Sequence, residues 1–263
     1  MDNRAIGIFD SGIGGLTILS QLIEKLPQEE FIYLGDTKNF PYGEKSREEI
    51  INFTQNNVTF LLQQRVKLII IACGTATSHA LEEVKSRHAI PIVGIIEPTI
   101  LEMKKKGRND VIGVMATEGT IRSNAWEKEI VKHIPQAKVW NKACPLLASM
   151  AEEDRQIEEI KEVIREYLLP FQNKEVDKLI LGCTHYPIYK KFIAETLQNK
   201  AEIIDPSYIT AQYVKEKLEK ENLRNNQTRG NYKIYLTKEE KKFGEIAERI
   251  FNISKEKIEK TDI

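Results

Sequence analysis

The chain has 263 residues, room for two domains of ordinary size, and its 41% hydrophobic and 30% charged residues are typical of a globular protein. Its 39 Lys and Arg balance 39 Asp and Glu, so no overall field attracts nucleic acid or a membrane surface. No apolar run approaches the roughly 20 residues that span a bilayer, and no secretion signal is recognised. Three widely spaced cysteines fit a reducing compartment rather than a disulfide framework. We therefore expect a cytoplasmic protein without nucleic-acid or membrane partners.

Strands alternate with helices through the first part of the chain. Apolar runs and periodicity predict strands at residues 5–10, 31–34, 66–72 and 92–96 and helices at 16–26, 46–64, 77–87 and 97–106. A Gly-rich turn, residues 11–15, follows the first strand, and a loop rich in Gly, Pro, Asp and Asn, residues 35–43, follows the second. Ser46 and Glu49 fit a capping box. This alternation predicts a parallel sheet covered by helices.

The second part of the chain restarts the same alternation. Strands are predicted at residues 110–115, 138–140 (weakly), 178–181 and 202–204, and helices at 123–133, 146–153, 156–168, 188–197 and 207–219. The polar stretch 221–230 predicts a mobile loop, after which a strand, 232–237, and a helix, 239–251, return to the first domain. We predict an α/β fold with two similar doubly wound domains and mostly parallel sheets. The first domain is residues 1–97 plus 208–263, and the second is residues 98–207.

Two segments of the chain share one design. In residues 68–77 and 179–187, an apolar strand ends in a small residue and a cysteine, Cys73 or Cys183, and a Thr follows closely. The segment around Gly7 lines up with the one around Gly113 at a similar offset. Ligands of open α/β sheets bind at the carboxyl ends of the strands. A duplicated unit with pseudo-twofold symmetry would therefore place one thiol on each wall of a central cleft.

The paired cysteines point to thiol chemistry. A free thiol has a pKa of about 8.5 and needs help to ionise at neutral pH. The candidate helpers are His185, two residues from Cys183, Asp10 at the end of the first strand, and the N-termini of the following helices. For a single Cys, the alternative of a small buried apolar residue is equally plausible. We prefer that structural reading for Cys144, which has no counterpart in the repeat.

Hydroxyl groups and backbone N–H groups surround the strand ends. The turn at residues 11–15 does not match a dinucleotide fingerprint and lacks the Lys of a phosphate loop. It is either a plain tight turn or, with Ser11, a cradle for a small carboxylate. Hydroxyls at comparable turns are those of Thr75, Thr77, Thr117, Thr120 and Thr184. By pattern alone, His79, His88, His133 and Glu152 are ordinary surface residues.

Five motifs, taken together, resemble those of the glutamate racemases, a cofactor-independent family of the aspartate/glutamate racemase superfamily. They are Asp10-Ser11-Gly12-x-Gly14-Gly15, Pro41-Tyr42-Gly43, Ala72-Cys73-x-Thr75-Ala76, Thr117-x-Gly119-Thr120 and Gly182-Cys183-Thr184-His185-Tyr186-Pro187. The match runs in order from about residue 5 to residue 210 and continues weakly through the last predicted strand and helix. The set is specific as a whole, whereas each motif alone is weak.

The resemblance implies that L- and D-glutamate are interconverted by two thiols on opposite faces of the substrate. Cys73 would remove the Cα proton of D-glutamate with help from Asp10, and Cys183 that of L-glutamate with help from His185. Glu152 matches an acid that the family has at a fixed distance after a Cys-Pro pair, here Cys144-Pro145. The product would supply peptidoglycan synthesis without pyridoxal phosphate, metal or nucleotide, and a homodimer is among the assemblies that the resemblance implies.

The resemblance also implies a set of substrate-binding residues. They are Asp10, Ser11, Pro41, Tyr42, Gly43, Cys73, Gly74, Thr75, Thr117, Thr120, Cys183, Thr184 and His185. At Gly74 the family usually has an Asn that contacts the substrate, so we expect altered binding around Cys73. A racemase acting on aspartate or another amino acid is therefore the first alternative.

Two other classes of protein stay open. One is a cysteine hydrolase that uses Cys183 with His185 and for which Cys73 is dispensable. The other is a zinc- or ligand-binding protein built on Cys73, Cys183, His185 and Asp10.

Overall fold

The computed structural model describes residues 1–107, 111–153, 155–238 and 241–263. The first residue of the strand predicted at 110–115 and the first two residues of the helix predicted at 239–251 lie outside these ranges. The strands of the described residues are β1 (Ile6–Asp10), β2 (Phe31–Gly35), β3 (Leu68–Ile71), β4 (Ile92–Gly94), β5 (Val111–Ala116), β6 (Lys138–Ala143), β7 (Lys178–Leu181), β8 (Glu202–Ile204), β9 (Tyr232–Leu236) and β10 (Ile258–Lys260).

The strands form two parallel sheets, which confirms the predicted α/β fold with two domains. The first sheet has the order β10-β9-β2-β1-β3-β4 and the second has the order β6-β5-β7-β8. The order β2-β1-β3-β4 is thus repeated as β6-β5-β7-β8. The register is repeated as well, because Phe9 of β1 lies opposite Ile71 and Met115 of β5 lies opposite Leu181. Each cysteine therefore follows the equivalent strand of its own sheet.

Helices pack on both sheets. They are α1 (Leu16–Lys25), α2 (Arg47–Gln63), α3 (Gly74–Arg87), α4 (Ile96–Lys105), α5 (Glu118–Ser123), α6 (Ala125–His133), α7 (Leu146–Glu152), α8 (Ile157–Asn173), α9 (Lys190–Thr196), α10 (Pro206–Lys220) and α11 (Lys241–Phe251). Every residue of β1, β3 and β7 is buried, as expected for central parallel strands covered on both faces. None of the described helices is both long and apolar enough to span a membrane.

Side chains cap the N-termini of several helices. At the start of α2 the predicted capping box is confirmed, since Ser46 and Glu49 bond each other's backbone N–H groups. The helix predicted at 77–87 instead begins at Gly74, because the Cys73 sulfur accepts a hydrogen bond from the N–H of Ala76. The short helix α5 was not predicted. It begins where the Thr117 hydroxyl accepts from the N–H of Thr120, a capping signal that the sequence carries.

Other element boundaries depend on neighbouring elements. Strand β6 continues to residue 143, past its predicted end, because it stays paired with β5. Helix α8 runs through Pro170 to residue 173 rather than ending at 168. The helix predicted from residue 188 begins at Lys190, after a 3-10 turn at Tyr186–Tyr189. Strand β10 was missed, because two of its three residues are exposed and only its pairing with β9 defines it.

The chain crosses between the sheets in two adjacent helices, α4 and α10. Helix α4 leads from β4 to β5, and α10 leads from β8 to β9. The two helices pack against each other. The boundaries predicted at 97/98 and 207/208 fall within the first turns of these helices and stay a prediction.

The loop at 221–230, predicted to be mobile, is tied to a buried ion pair. Lys67 Nζ lies 2.6 Å from Glu29 Oε2, and both side chains have no exposed surface. Lys67 also donates to the carbonyls of Asp2 and Leu223, each at 2.7 Å, and Glu29 Oε1 accepts from the N–H of Asn225 at 2.7 Å. These bonds anchor Leu223 and Asn225, and the mobility of the loop stays a prediction.

We expect the Lys67→Met variant to lose about 3–5 kcal/mol in free energy of unfolding, because the substitution leaves the Glu29 carboxylate buried without its cation. Urea denaturation measures the loss. The matched control is Lys161→Met, which breaks an exposed pair with Glu158 and is expected to leave the free energy of unfolding nearly unchanged. Equal, small losses in both variants would contradict the role given to the buried pair.

Candidate active site

The two repeated strand ends line one small cavity between the sheets. Cys73 and Cys183 are both nearly buried, 5% and 7% exposed. The cavity is lined by Ser11, Phe40, Pro41, Tyr42, Gly43, Cys73, Gly74, Thr75, Thr117, Ala148, Gly182, Cys183, Thr184 and His185. Every predicted substrate-binding residue except Asp10 and Thr120 is in this lining. Phe40, Ala148 and Gly182 were not predicted, because an apolar or small lining residue has no sequence signal of its own.

The cavity is closed around the thiols. Its volume is about 20 Å³, room for about one water molecule and too little for an amino acid. A Cβ added to Gly74 would collide with the carbonyl oxygen of Gly182 on the opposite wall. The missing side chain at Gly74 thus lets the two walls approach each other. An amino acid can enter only if the walls move apart.

On the wall of the second sheet, Cys183, His185 and Glu152 form a chain of contacts. Cys183 Sγ lies 3.6 Å from His185 Nδ1, and His185 Nε2 lies 2.9 Å from Glu152 Oε1. Burial by itself lowers the pKa of His185, but its contacts with Cys183 and Glu152 raise that pKa well above the usual value. The arrangement therefore favours an imidazolium beside the sulfur of Cys183.

Glu152 also joins the two domains. Its Oε1 accepts a hydrogen bond from the N–H of Ile13, in the Gly-rich turn, at 2.7 Å. The sequence pattern indicated an ordinary surface acid, and only the resemblance singled it out. The structure places this carboxylate against His185, just outside the cavity lining.

On the wall of the first sheet, Cys73 caps helix α3. Its Sγ lies 3.5 Å from the N–H of Ala76 and 3.8 Å from Ser11 Oγ. Burial, and then the charge of Asp10, raise the pKa of the Cys73 thiol to about 12. Unlike Cys183, this sulfur has no imidazole contact among the described residues, so it is a thiol at neutral pH.

Asp10 is fully buried at the end of β1 and holds the loop that follows. Its Oδ2 accepts from the N–H groups of Gly12 and Gly15 at 3.2 and 3.0 Å. Its Oδ1 lies 3.2 Å from the Thr184 hydroxyl of the other domain. Burial raises the pKa of Asp10, while the charge of His185 lowers it. Asp10 therefore organises the loop and contacts both walls.

Three threonine hydroxyls meet at one end of the cavity. Thr75 Oγ1 lies 2.8 Å from Thr117 Oγ1 and 3.1 Å from Thr120 Oγ1, and the latter two are 2.9 Å apart. Thr75 comes from α3, whereas the other two belong to the start of α5. Beside them, His79 Nε2 lies 2.9 Å from the carbonyl oxygen of Gly119. His79 is therefore half-buried and bonded across the interface, a contact that its interpretation as an ordinary surface residue did not include.

A buried acid that the sequence analysis did not single out holds Tyr42 in the lining. Asp36 Oδ2 accepts from the Tyr42 hydroxyl at 2.5 Å, and Asp36 Oδ1 accepts from Thr237 at 2.9 Å. The Nδ2 group of Asn57 donates to the same Tyr42 hydroxyl at 3.0 Å. The signal that could have found Asp36 is its place directly after β2, at the same sheet edge as Asp10.

Two other features bear on the alternatives. A larger cavity, about 510 Å³, lies between α4 and α10 but includes none of the predicted site residues. Within the described ranges, no group of three or more His, Cys, Asp or Glu side chains is arranged to hold a metal ion. The zinc-site alternative thus finds no geometric support in the part of the chain that the structure describes.

Comparison with known proteins identifies the family. A family profile described as Asp/Glu/Hydantoin racemase matches residues 14–214, more than half of the chain. The chain belongs to this racemase family. The glutamate racemase of Lactococcus lactis subsp. lactis is 42% identical over 266 residues, covering 100% of this racemase and 97% of that protein.

Solved structures agree with the family assignment. The glutamate racemase isoform RacE1 of Bacillus anthracis superimposes with a TM-score of 0.94 at 34% identity, covering 100% of this racemase and 99% of that chain. The glutamate racemase of Francisella tularensis in complex with D-glutamate gives a TM-score of 0.92 at 39% identity, covering 100% and 98%. These similarities confirm the resemblance seen in the sequence motifs. The chain is therefore an isomerase of the amino-acid racemase class.

Proposed function

We propose that this racemase interconverts L- and D-glutamate with Cys73 and Cys183 as the two proton-transfer groups. The observation that carries the proposal is that two buried thiols follow equivalent strands of two facing sheets and line one cavity. Inversion of a stereocentre needs one group on each face of Cα, and the duplicated fold supplies both. The substrate is inferred from the relatives described as glutamate racemases, including the one bound to D-glutamate.

The two thiols start the reaction in different forms. The imidazolium of His185, which Glu152 favours, stabilises a thiolate at Cys183. Cys73 is a thiol, because burial and Asp10 raise its pKa to about 12. This state accepts L-glutamate. The Cys183 sulfur takes the Cα proton and becomes a thiol, and the carbanion takes a proton from Cys73, which becomes a thiolate. D-glutamate reacts by the reverse steps.

Asp10 and the hydroxyl groups have binding and positioning roles in this proposal. Asp10 keeps Cys73 protonated as an acid for L-glutamate and holds the turn at residues 11–15. Ser11, Thr75, Thr117, Thr120 and Thr184, together with the backbone around Tyr42 and Gly43, hold the charged groups of the substrate. A Cα proton is weakly acidic, so these preorganised donors lower the barrier most in a closed cleft that excludes water.

The biological setting follows from the product. We infer that D-glutamate is made for peptidoglycan, which places the enzyme in cell-wall formation and cell shape. Thiol chemistry by free cysteines suits the reducing cytoplasm, since all three cysteines are unpaired. A homodimer stays a prediction, which light scattering on the purified protein tests.

The test of the function is incubation of purified protein, free of metal and pyridoxal phosphate, with each enantiomer of glutamate in D₂O. We expect loss of optical activity and solvent deuterium at Cα of the product. Parallel assays with aspartate and other amino acids decide whether Gly74 marks another substrate. No turnover of glutamate with turnover of another amino acid would overturn the substrate, and hydrolysis through an acyl-Cys183 intermediate would overturn the racemase reaction.

A further inference from the structure

His79 links the two domains at a point that the proposed mechanism does not use. It lies on α3, between one and two turns beyond Cys73, and Gly119 lies on α5 in the second domain. His79 Nε2 and the Gly119 carbonyl oxygen are 2.9 Å apart. A carbonyl oxygen only accepts, so Nε2 carries the proton and donates it across the interface.

The surroundings of Gly119 show why this contact matters for the cavity. A Cβ on Gly119 would lie 2.9 Å from the carbonyl oxygen of Gly43, which lines the cavity. The next residue, Thr120, bonds Thr75 of the opposite wall. The backbone at Gly119 is therefore held between the loop at Gly43 on one side and α3 on the other.

The protonation state of His79 suits a permanent donor. Burial lowers the pKa of His79, and the charges of Arg122 and Arg47 act in the same direction, while the contact with Gly119 opposes them. The ring is therefore neutral at physiological pH and keeps its Nε2–H. By comparison, His133 bonds Glu129 one turn away on its own helix.

We propose that His79 is a positioning residue that latches the two domains together beside the cavity and thereby holds Cys73 and Thr75 against the opposite wall. The cavity of about 20 Å³ must open for a substrate to enter, so this hydrogen bond breaks on opening and forms again on closure. The kinetic consequence rests on the proposed racemase function, because only the closed arrangement brings both thiols to one Cα.

The test compares His79→Ala with His79→Gln, whose amide N–H replaces the Nε2 donor, and with His133→Ala as the matched control. We expect His79→Ala to lower kcat/KM roughly three- to tenfold, the effect of one hydrogen bond, and His79→Gln to stay within about twofold of wild type. Hydrogen exchange should be faster in α5 and the first turns of α3 in His79→Ala only. His133→Ala should match wild type in both measurements.

Two outcomes would overturn the latch. One is unchanged exchange in α5 of His79→Ala, and the other is a His79→Gln variant as impaired as His79→Ala, which would mean that ring packing alone matters. The exchange measurement needs no substrate. If wild type leaves glutamate unchanged but the variants show the expected difference in exchange, the proposed substrate is contradicted and the latch is supported.

Discussion

Replacing either Cys73 or Cys183 with alanine is expected to lower kcat/KM for glutamate racemisation by roughly 10³-fold or more, within or above the range for loss of a general acid or base. Each thiol acts as the base in one direction and as the acid in the other. The hydroxyl groups of the lining, such as that of Ser11, are much weaker acids than a thiol and cannot replace it in proton transfer. Each variant is therefore expected to lose activity with L-glutamate and with D-glutamate together.

Thermodynamics demands this symmetry. The two enantiomers have equal free energy in water, so the equilibrium constant is one, and kcat/KM must be the same in both directions for every variant. An apparent one-way enzyme would therefore indicate a contaminating activity or an irreversible side reaction. Separate values of kcat and KM for each enantiomer can still differ, and they report which thiol a substitution affects.

Circular dichroism follows the loss of optical activity, and mass spectrometry in D₂O follows the Cα label. The matched control is Cys144→Ala. Cys144 is also buried in the second domain, but its sulfur contacts the carbonyl of Lys142 and does not line the cavity. We expect this variant to keep near-normal activity. Racemisation that survives in either Cys73→Ala or Cys183→Ala would rule out the two-thiol mechanism.

The Glu152→Gln substitution is expected to lower kcat/KM by roughly 10–100-fold at neutral pH, the size seen when a carboxylate that orients a metal-binding His is removed. The amide keeps the shape but removes the charge that helps raise the pKa of His185. With a lower pKa, His185 is less fully protonated and stabilises the Cys183 thiolate less. The loss should shrink as the pH rises through the pKa of His185, because the wild-type imidazole then loses its proton as well.

The stability loss of Glu152→Gln should depend on pH in the same sense. The pKa of His185 is raised on folding, so its protonation stabilises the native state fully below the unfolded value of about 6.5 and loses this effect as the pH rises through the native pKa. Glu152→Gln weakens this contribution. The difference in Tm between wild type and variant is therefore expected to be larger at pH 6 than at pH 9.

Glu153→Gln is the matched control, because Glu153 is the next residue, is exposed, and pairs with Arg155 outside the cavity. It should leave the pH–rate profile unchanged. If Glu152→Gln lost the same factor at every pH, Glu152 would act only through its bond to Ile13, as a structural link between the domains.

Much of the site was predictable because its signals are local. The apolar runs before Cys73 and Cys183, each ended by a small residue and followed by Thr, indicated two strand ends of one kind. The shared strand order and register confirm that repeat. Helix α5 was not predicted, although Thr117 is a typical capping residue at its start. The capping role of Cys73 at the start of α3 was not predicted either.

Other parts of the site could not be predicted because their partners lie far apart in the chain. Glu152 reads as a surface acid until packing brings it to Ile13 and His185, residues from two different domains. His79 likewise reads as a surface histidine, because Gly119 is 40 residues away. A contact across a domain interface leaves no periodic pattern in either segment.

The sequence by itself determined the α/β alternation, the duplicated unit and the two thiols, because strand hydrophobicity and turn chemistry are properties of neighbouring residues. Only the tertiary structure decided how the thiols differ. The structure pairs Cys183 with His185 and Glu152, and it surrounds Cys73 with buried groups and the charge of Asp10. The distinction arises from burial and from charges that folding brings together, which no local pattern encodes.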